Sequence, residues 1–424
     1  MKILRHISLA ALALLAPLSL FAVPAWSRGE ATACSTCHAT PTWQLTTVGL
    51  DFLRNGHRMD PLNYKVKGQT LENYISLVWK GRLYSDQLDD SRTGNANTQK
   101  PKSQFEQHSF SLYTGGALNE RFSYFTELYL SENTGATSGA NVSQGDAARK
   151  KLAEAFIQYN HPLAEGQFLA VRAGEILPEV LHVFGVGARS IEQRAVVLND
   201  PLAGNSNTYR PFSRQQGIDV KYNAEHVELT AGLVNGSDTS TTNSIDADSH
   251  KDWYAAGLYM FDEQDSAVGV FHYNGQFANY TTKQDFSTAL LYRNSFYRTG
   301  LLGRYIRDNW RLVGTYFLGE ETINATGSKA SNRGFYALLD YNFSDKFGTF
   351  VRYDYLDPNT KLSRNETSQI IFGLDGLLYS TLRSGARWQI ELSQKDTYLG
   401  GNITTAGTTK YMDQRIFAQV TWGF

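Results

Sequence analysis

From about residue 73 onward the chain alternates apolar and polar residues with a period of two, in runs of about ten residues divided by polar connections. That period sends alternate side chains to opposite faces of a strand. Along 120–131, Phe122, Tyr124, Thr126, Leu128 and Leu130 share one face, and Ser123, Phe125, Glu127 and Tyr129 share the other. Sixteen such runs can be marked: 73–84, 104–115, 120–131, 150–160, 166–174, 214–223, 226–236, 251–261, 266–276, 296–306, 309–320, 332–343, 347–356, 367–378, 384–396 and 411–424. A tilted strand of this length crosses a bilayer, and in lipid only a closed barrel leaves no backbone edge unpaired.

The connections carry a second pattern. Long and short ones alternate: 85–103 is long, 116–120 short, 133–149 long, 162–165 short, 175–214 very long, 224–225 short. Bacterial barrels have short periplasmic turns, long external loops and both chain ends inside, which an even strand count reproduces. The very long third external loop stands where, by analogy, porins fold a loop into the lumen. At the C-terminus Ile416, Ala418, Val420, Trp422 and Phe424 point one way, like the terminal-Phe label of outer-membrane barrels. The expectation is an all-β outer-membrane barrel of about sixteen antiparallel strands over 71–424, preceded by a short, mostly helical segment over 26–70.

The first residues place the chain outside the cytoplasm. Lys2 and Arg5 precede an apolar run from Ile7 to Val23, and Val23-Pro24-Ala25 supplies the small residues of a cleavage site, so 1–25 reads as a signal peptide. The remaining chain has no apolar segment long enough for a membrane helix. With 24 Tyr, 23 Phe and a mean hydropathy of −0.37, the composition suits strands that are apolar on one face only. A net charge of −1 speaks against nucleic acid as a partner.

The two cysteines of the chain both fall in Cys34-Ser35-Thr36-Cys37-His38. This is the spacing of c-type haem attachment: two thiols add to the haem vinyl groups, and the adjacent histidine becomes the proximal iron ligand. A zinc site would need a second Cys or His pair, and a thioredoxin-like motif a βαβ unit. One covalent haem c is therefore expected, on Cys34, Cys37 and His38. Trp43 to Asn55 reads as a short helix with Gly56 as its C-cap. A segment this small cannot bury a haem alone, so shelter against or inside the barrel is expected, in place of a free tether in the periplasm. The sixth iron position is open between Met59, His57 and a vacant or weakly held site.

The run Pro24-Ala25-Trp26-Ser27-Arg28, then the Cys34–His38 motif, Pro41, Leu45, Gly49, Phe52 and Gly56-His57 resembles the fused monohaem cytochrome–porins of iron-oxidising bacteria. The likeness covers about 35 residues at motif level, and the barrel only in architecture and length. Members of that family tend to carry an aromatic where this chain has His57. The resemblance implies an Fe(II)-oxidising electron-transfer protein of the outer membrane that passes electrons to a periplasmic c-type cytochrome or other soluble carrier. Two alternatives stand beside it: an outward conduit to extracellular acceptors, and a haem-bearing porin for solutes. For Fe(II) as donor, hard ligands at alternate positions, Asp246, Asp248 and His250 followed by Asp252, form a candidate external encounter site. Asp86, Asp89 and Asp90 form a second acidic cluster, and ordinary solvated loop tips are the simpler account of both sets.

Overall fold

The computed structural model describes residues 24–39, 41, 44–61, 70–89, 102–132, 151–180, 214–236, 250–262, 266–280, 290–323 and 327–424. Its strands are β1 Ile75–Asp89, β2 Lys102–Ala117, β3 Phe122–Glu132, β4 Lys151–Ala164, β5 Gln167–Ile176, β6 Gln215–Asn223, β7 Val227–Val234 and β8 Asp252–Met260. The second half adds β9 Ala267–Tyr280, β10 Leu290–Arg307, β11 Trp310–Thr322, β12 Lys329–Ser344, β13 Phe347–Asp357, β14 Thr367–Ser380, β15 Gly385–Tyr398 and β16 Lys410–Gly423. Each strand pairs with its sequence neighbours, and β1 pairs antiparallel with β16, so the sheet is one closed barrel of sixteen strands. The ring is stitched to its last residue: Phe424 N donates to Leu77 O at 2.9 Å, and Leu77 N to Phe424 O at 2.8 Å.

All sixteen periodic runs are strands. The ends shift most in two of them. The first strand continues to Asp89, so Asp86 and Asp89 belong to β1 and not to a loop, while Asp90 lies outside the described residues. The tenth strand begins at Leu290, earlier than 296, because pairing with β9 continues through the polar Arg293-Asn294-Ser295, which breaks the apolar alternation.

The two faces differ as the alternation requires. Leu229, Leu233, Val268, Val270, Leu301 and Leu318 are among the outward residues left exposed, the belt that faces lipid. Trp310, Phe343, Phe347, Trp422 and Phe424 are also exposed, near the short-turn end, where interfacial aromatics sit. The inner face mixes aromatic with charged side chains: Phe125, Phe156, Tyr254, Phe271 and Phe296 lie beside Arg172, Asp219, Lys221 and Glu228, all buried. At this end the interior is packed.

The long loop after β5 starts by turning inward. Leu177 and Val180 join the buried apolar cluster, Arg172 Nη2 donates to Leu177 O at 3.0 Å, and Glu179 pairs with Lys221 of β6. The rest of that loop lies outside the described residues.

Candidate functional site

Residues 24–61 form three short helices, α1 Pro24–Gly29, α2 Cys34–Cys37 and α3 Thr47–Arg54. The cysteine motif is one helical turn. His38 N donates to Cys34 O at 3.0 Å, which puts both thiols on one side of the turn with the histidine immediately beyond it. The chain then doubles back: His38 bridges Leu45, Ala39 N donates to Gln44 O at 2.8 Å, and Thr46 N to Cys37 O at 3.0 Å.

Thr46 caps α3, its hydroxyl accepting from Gly49 N at 3.2 Å. The helix is shorter at its start than 43–55, because the cap fixes the N-terminus at Thr46 and the preceding residues serve the return strand; Trp43 lies outside the described residues. Gly49 is where α3 meets α2: a Cβ there would stand 2.0 Å from Cys37 O. Gly56 ends the helix with φ +80°, as expected, and His57 follows at φ +63°.

Three arginines fasten this segment to the barrel. Arg58, with no exposed surface, donates to the carbonyls of Asn55, Pro61, Asn119, Glu120 and Arg121 at 2.7–3.2 Å, the last three forming the β2–β3 turn. Arg54 reaches Glu228 of β7 at 3.1 Å and Met260 Sδ of β8 at 2.8 Å. Arg28 donates to the carbonyls of Glu72, Ile75 and, across the barrel end, Arg383 at 3.2 Å. Wall side chains return the contacts: Gln158 and Asn160 of β4 donate to Arg54 O and Asn55 O, each at 3.0 Å, and Asn342 of β12 to Ala39 O at 3.5 Å. These anchors belong to the inner face and to the short turns.

Both candidates for a sixth ligand follow α3. His57 is buried and stacks on Phe125 of β3, ring centroids 4.4 Å apart and planes 3° from parallel, with Trp26 at 4.9 Å and Phe156 at 5.7 Å. Met59 is half-buried; its carbonyl accepts from Asn55 Nδ2 at 3.1 Å, and its N–H meets the Glu30 carboxylate. The alternative between them stays open.

Burial sets the electrostatics of both thiols. Burial pushes the Cys34 thiol up, and pushes Cys37 up to about 11, with Cys34 and Glu30 adding to the effect. Such thiols are protonated at neutral pH, unlike the thiolates of disulfide exchange. Burial also raises the Glu30 carboxyl to about 6, against the pull of Met59 N–H and Arg58. The residues fit a covalent haem c on three counts. Two thiols and an imidazole stand on one turn. Apolar Trp26, Leu45, Leu50 and Phe52 flank it. Beside it, the Trp26 indole N–H is sealed from solvent with no acceptor among the described residues.

The external iron site fares differently. Asp246 and Asp248 lie outside the described residues. His250 is half-exposed and 3.7 Å from Asp252, but Asp252 opens β8 and faces inward, where it accepts from Tyr273 Oη at 2.5 Å and Gln276 N at 2.9 Å. Asp252 is thus a wall residue and not a loop ligand. Among the described residues no group of three His, Cys, Asp or Glu could hold a metal ion. Arg54, Arg58 and the stacking role of Phe125 were not singled out from the sequence, and Arg28 and Gly49 stood there only within the resemblance, without a role. Arg54 and Arg58 are four apart at the end of an amphipathic helix, the one local hint, but their partners lie about 60 to 200 residues away.

No family model matches the chain, and no curated protein matches it. Solved structures do. The anion-selective porin from Comamonas acidovorans aligns with a TM-score of 0.56 at 10% identity, over 82% of this chain and 98% of that one. In-vitro folded OmpT, an outer membrane protein of Vibrio cholerae, aligns at 0.51 and 11% identity, over 82% and 97%. At such identities the likeness shows the fold: this is a barrel of the outer-membrane porin type.

Proposed function

We propose that the chain is an outer-membrane electron-transfer protein, in which one haem c on Cys34, Cys37 and His38 receives electrons from extracellular Fe(II) and yields them to a soluble periplasmic carrier. The observation that supports it most is the docking of the Cys-X-X-Cys-His turn against the inner wall of a membrane-spanning barrel, through Arg28, Arg54 and Arg58. When bound, haem supplies reversible one-electron chemistry.

The chain's own residues do the rest. Cys34 and Cys37 fix the position of the group, Gly49 lets α3 close over the turn, and Trp26, Phe52, Phe125 and Phe156 exclude water from one side. Arg58 holds the segment at the short-turn end, in reach of the periplasm. Ferrous iron oxidised near neutral pH precipitates, so a cell gains by leaving it outside, and a bilayer then needs a protein-lined route.

A second reading, a haem-bearing porin for solutes, rests on the porin-type fold. The packing of Leu177 and Val180 into the same buried apolar cluster as Leu50 of α3 favours the conduit. Two measurements separate them. Stopped-flow mixing of oxidised protein in detergent with Fe(II) should reduce the haem, and planar-bilayer recordings should show little current. A chain without haem, or one that conducts like an open porin and ignores Fe(II), refutes the proposal.

A further inference from the structure

We infer that the Trp26 indole N–H is the hydrogen-bond donor to a propionate of the haem, and that this bond helps set the haem's potential. The inference rests on the reading of Cys34–His38 as a haem c site. Trp26 lies on α1 next to Ser27, whose Oγ is 3.9 Å from Cys34 Sγ, and its own ring packs on Phe52 of α3, the helix that meets the Cys34–Cys37 turn at Gly49. The ring is held from several sides, 5.4 Å from Phe52, 4.9 Å from His57 and 5.8 Å from Phe125, so its orientation is fixed by packing.

Within that cage the Nε1–H is shut off from solvent and meets no acceptor among the described residues. An indole nitrogen is a donor only, and a buried donor left unmade costs on the order of 1–3 kcal/mol. A tryptophan kept for packing alone would do better as phenylalanine at this position. The charged acceptors that a haem brings to its surroundings are its two propionate carboxylates, and a hydrogen bond to a carboxylate is of the strong, charge-assisted kind. By drawing off negative charge near the iron, such a bond favours the ferrous form and raises the potential.

The test compares intact, haem-loaded protein with Trp26→Phe, which keeps the ring packing and removes the N–H, and with Phe52→Leu, which loosens the same packing and leaves the N–H. Covalent haem content is measured first. Trp26→Phe should favour the ferric form by about threefold to tenfold against a fixed redox couple, tenfold being 59 mV for one electron, and should move the propionate-bending band in the resonance Raman spectrum. Phe52→Leu should leave that band in place. If the parent carries no covalent haem, the haem reading itself falls. If it carries haem and Trp26→Phe shifts neither potential nor band, or both variants shift them alike, only the Trp26 assignment falls.

Discussion

The barrel and the segment it holds are stabilised in opposite ways. In the barrel every strand is paired on both sides, and the ring closes through Leu77 and Phe424, so no single side chain is needed to hold it together. The described residues of 24–61 show no core of their own: Leu50 belongs to the lumen's apolar cluster, and three guanidinium groups, one ring stack and the amides of Gln158, Asn160 and Asn342 dock the segment. A cooperative backbone ring tolerates substitution, whereas a segment fastened at a few points is sensitive at each of them. Changes in the segment should therefore abolish its chemistry while the barrel survives.

The largest effect is expected from Cys34→Ala with Cys37→Ala, which should remove covalent haem completely, read by haem staining after denaturing electrophoresis, with the β-sheet circular dichroism unchanged. Arg58→Ala comes next. It strips five carbonyl partners at once in a fully buried place, and should weaken docking by about 3 kcal/mol, seen as new proteolysis within 24–61 and a rise in single-channel conductance. Loss of the whole barrel in that variant would erase the contrast between the two regions.

Gly49→Ala should cost about 1–3 kcal/mol, because its methyl meets Cys37 O and α3 must shift; lower haem incorporation on expression is the readout. His57→Asn keeps a residue that tolerates φ +63° but gives up the stack on Phe125, for about 1 kcal/mol of docking. A spectrum that also loses its low-spin character would assign His57 as the sixth ligand; the same loss in Met59→Ala instead would assign Met59.

The smallest effect concerns Glu30. Its carboxyl is raised from an ordinary carboxylate value to about 6, so the folded state prefers the proton, and docking is favoured below the unfolded value and weakens as pH rises through 6. The side chain is half-buried, so after screening the effect is under about 1 kcal/mol. Glu30→Gln should then protect the segment slightly at pH 7 and not at pH 4, by the same proteolysis.

The sequence conveyed these two regions unequally. Strands were legible because a bilayer and a wall impose a period of two, and Tyr124, Leu128 and Leu130 had to alternate with Ser123, Phe125 and Glu127. Strand ends were less so: Asn294 is an inward polar residue in a stretch without apolar rhythm, and pairing alone carries β10 back to Leu290. The Cys34–His38 motif was legible from its spacing alone. Its fastening was not, since Arg58 is answered by backbone carbonyls about 60 residues away, which leave no mark in side-chain identity. Asp252 failed for a related reason: at a strand's first residue only the register decides whether a carboxylate faces solvent or wall.

The most direct test is electron passage through the intact protein. With the chain reconstituted in liposomes that enclose soluble cytochrome c, Fe(II) added outside should reduce the enclosed cytochrome, and the Cys34→Ala, Cys37→Ala protein should not support it. Equal reduction by both proteins would mean that iron leaks through the barrel, and no reduction by haem-loaded protein would contradict the conduit.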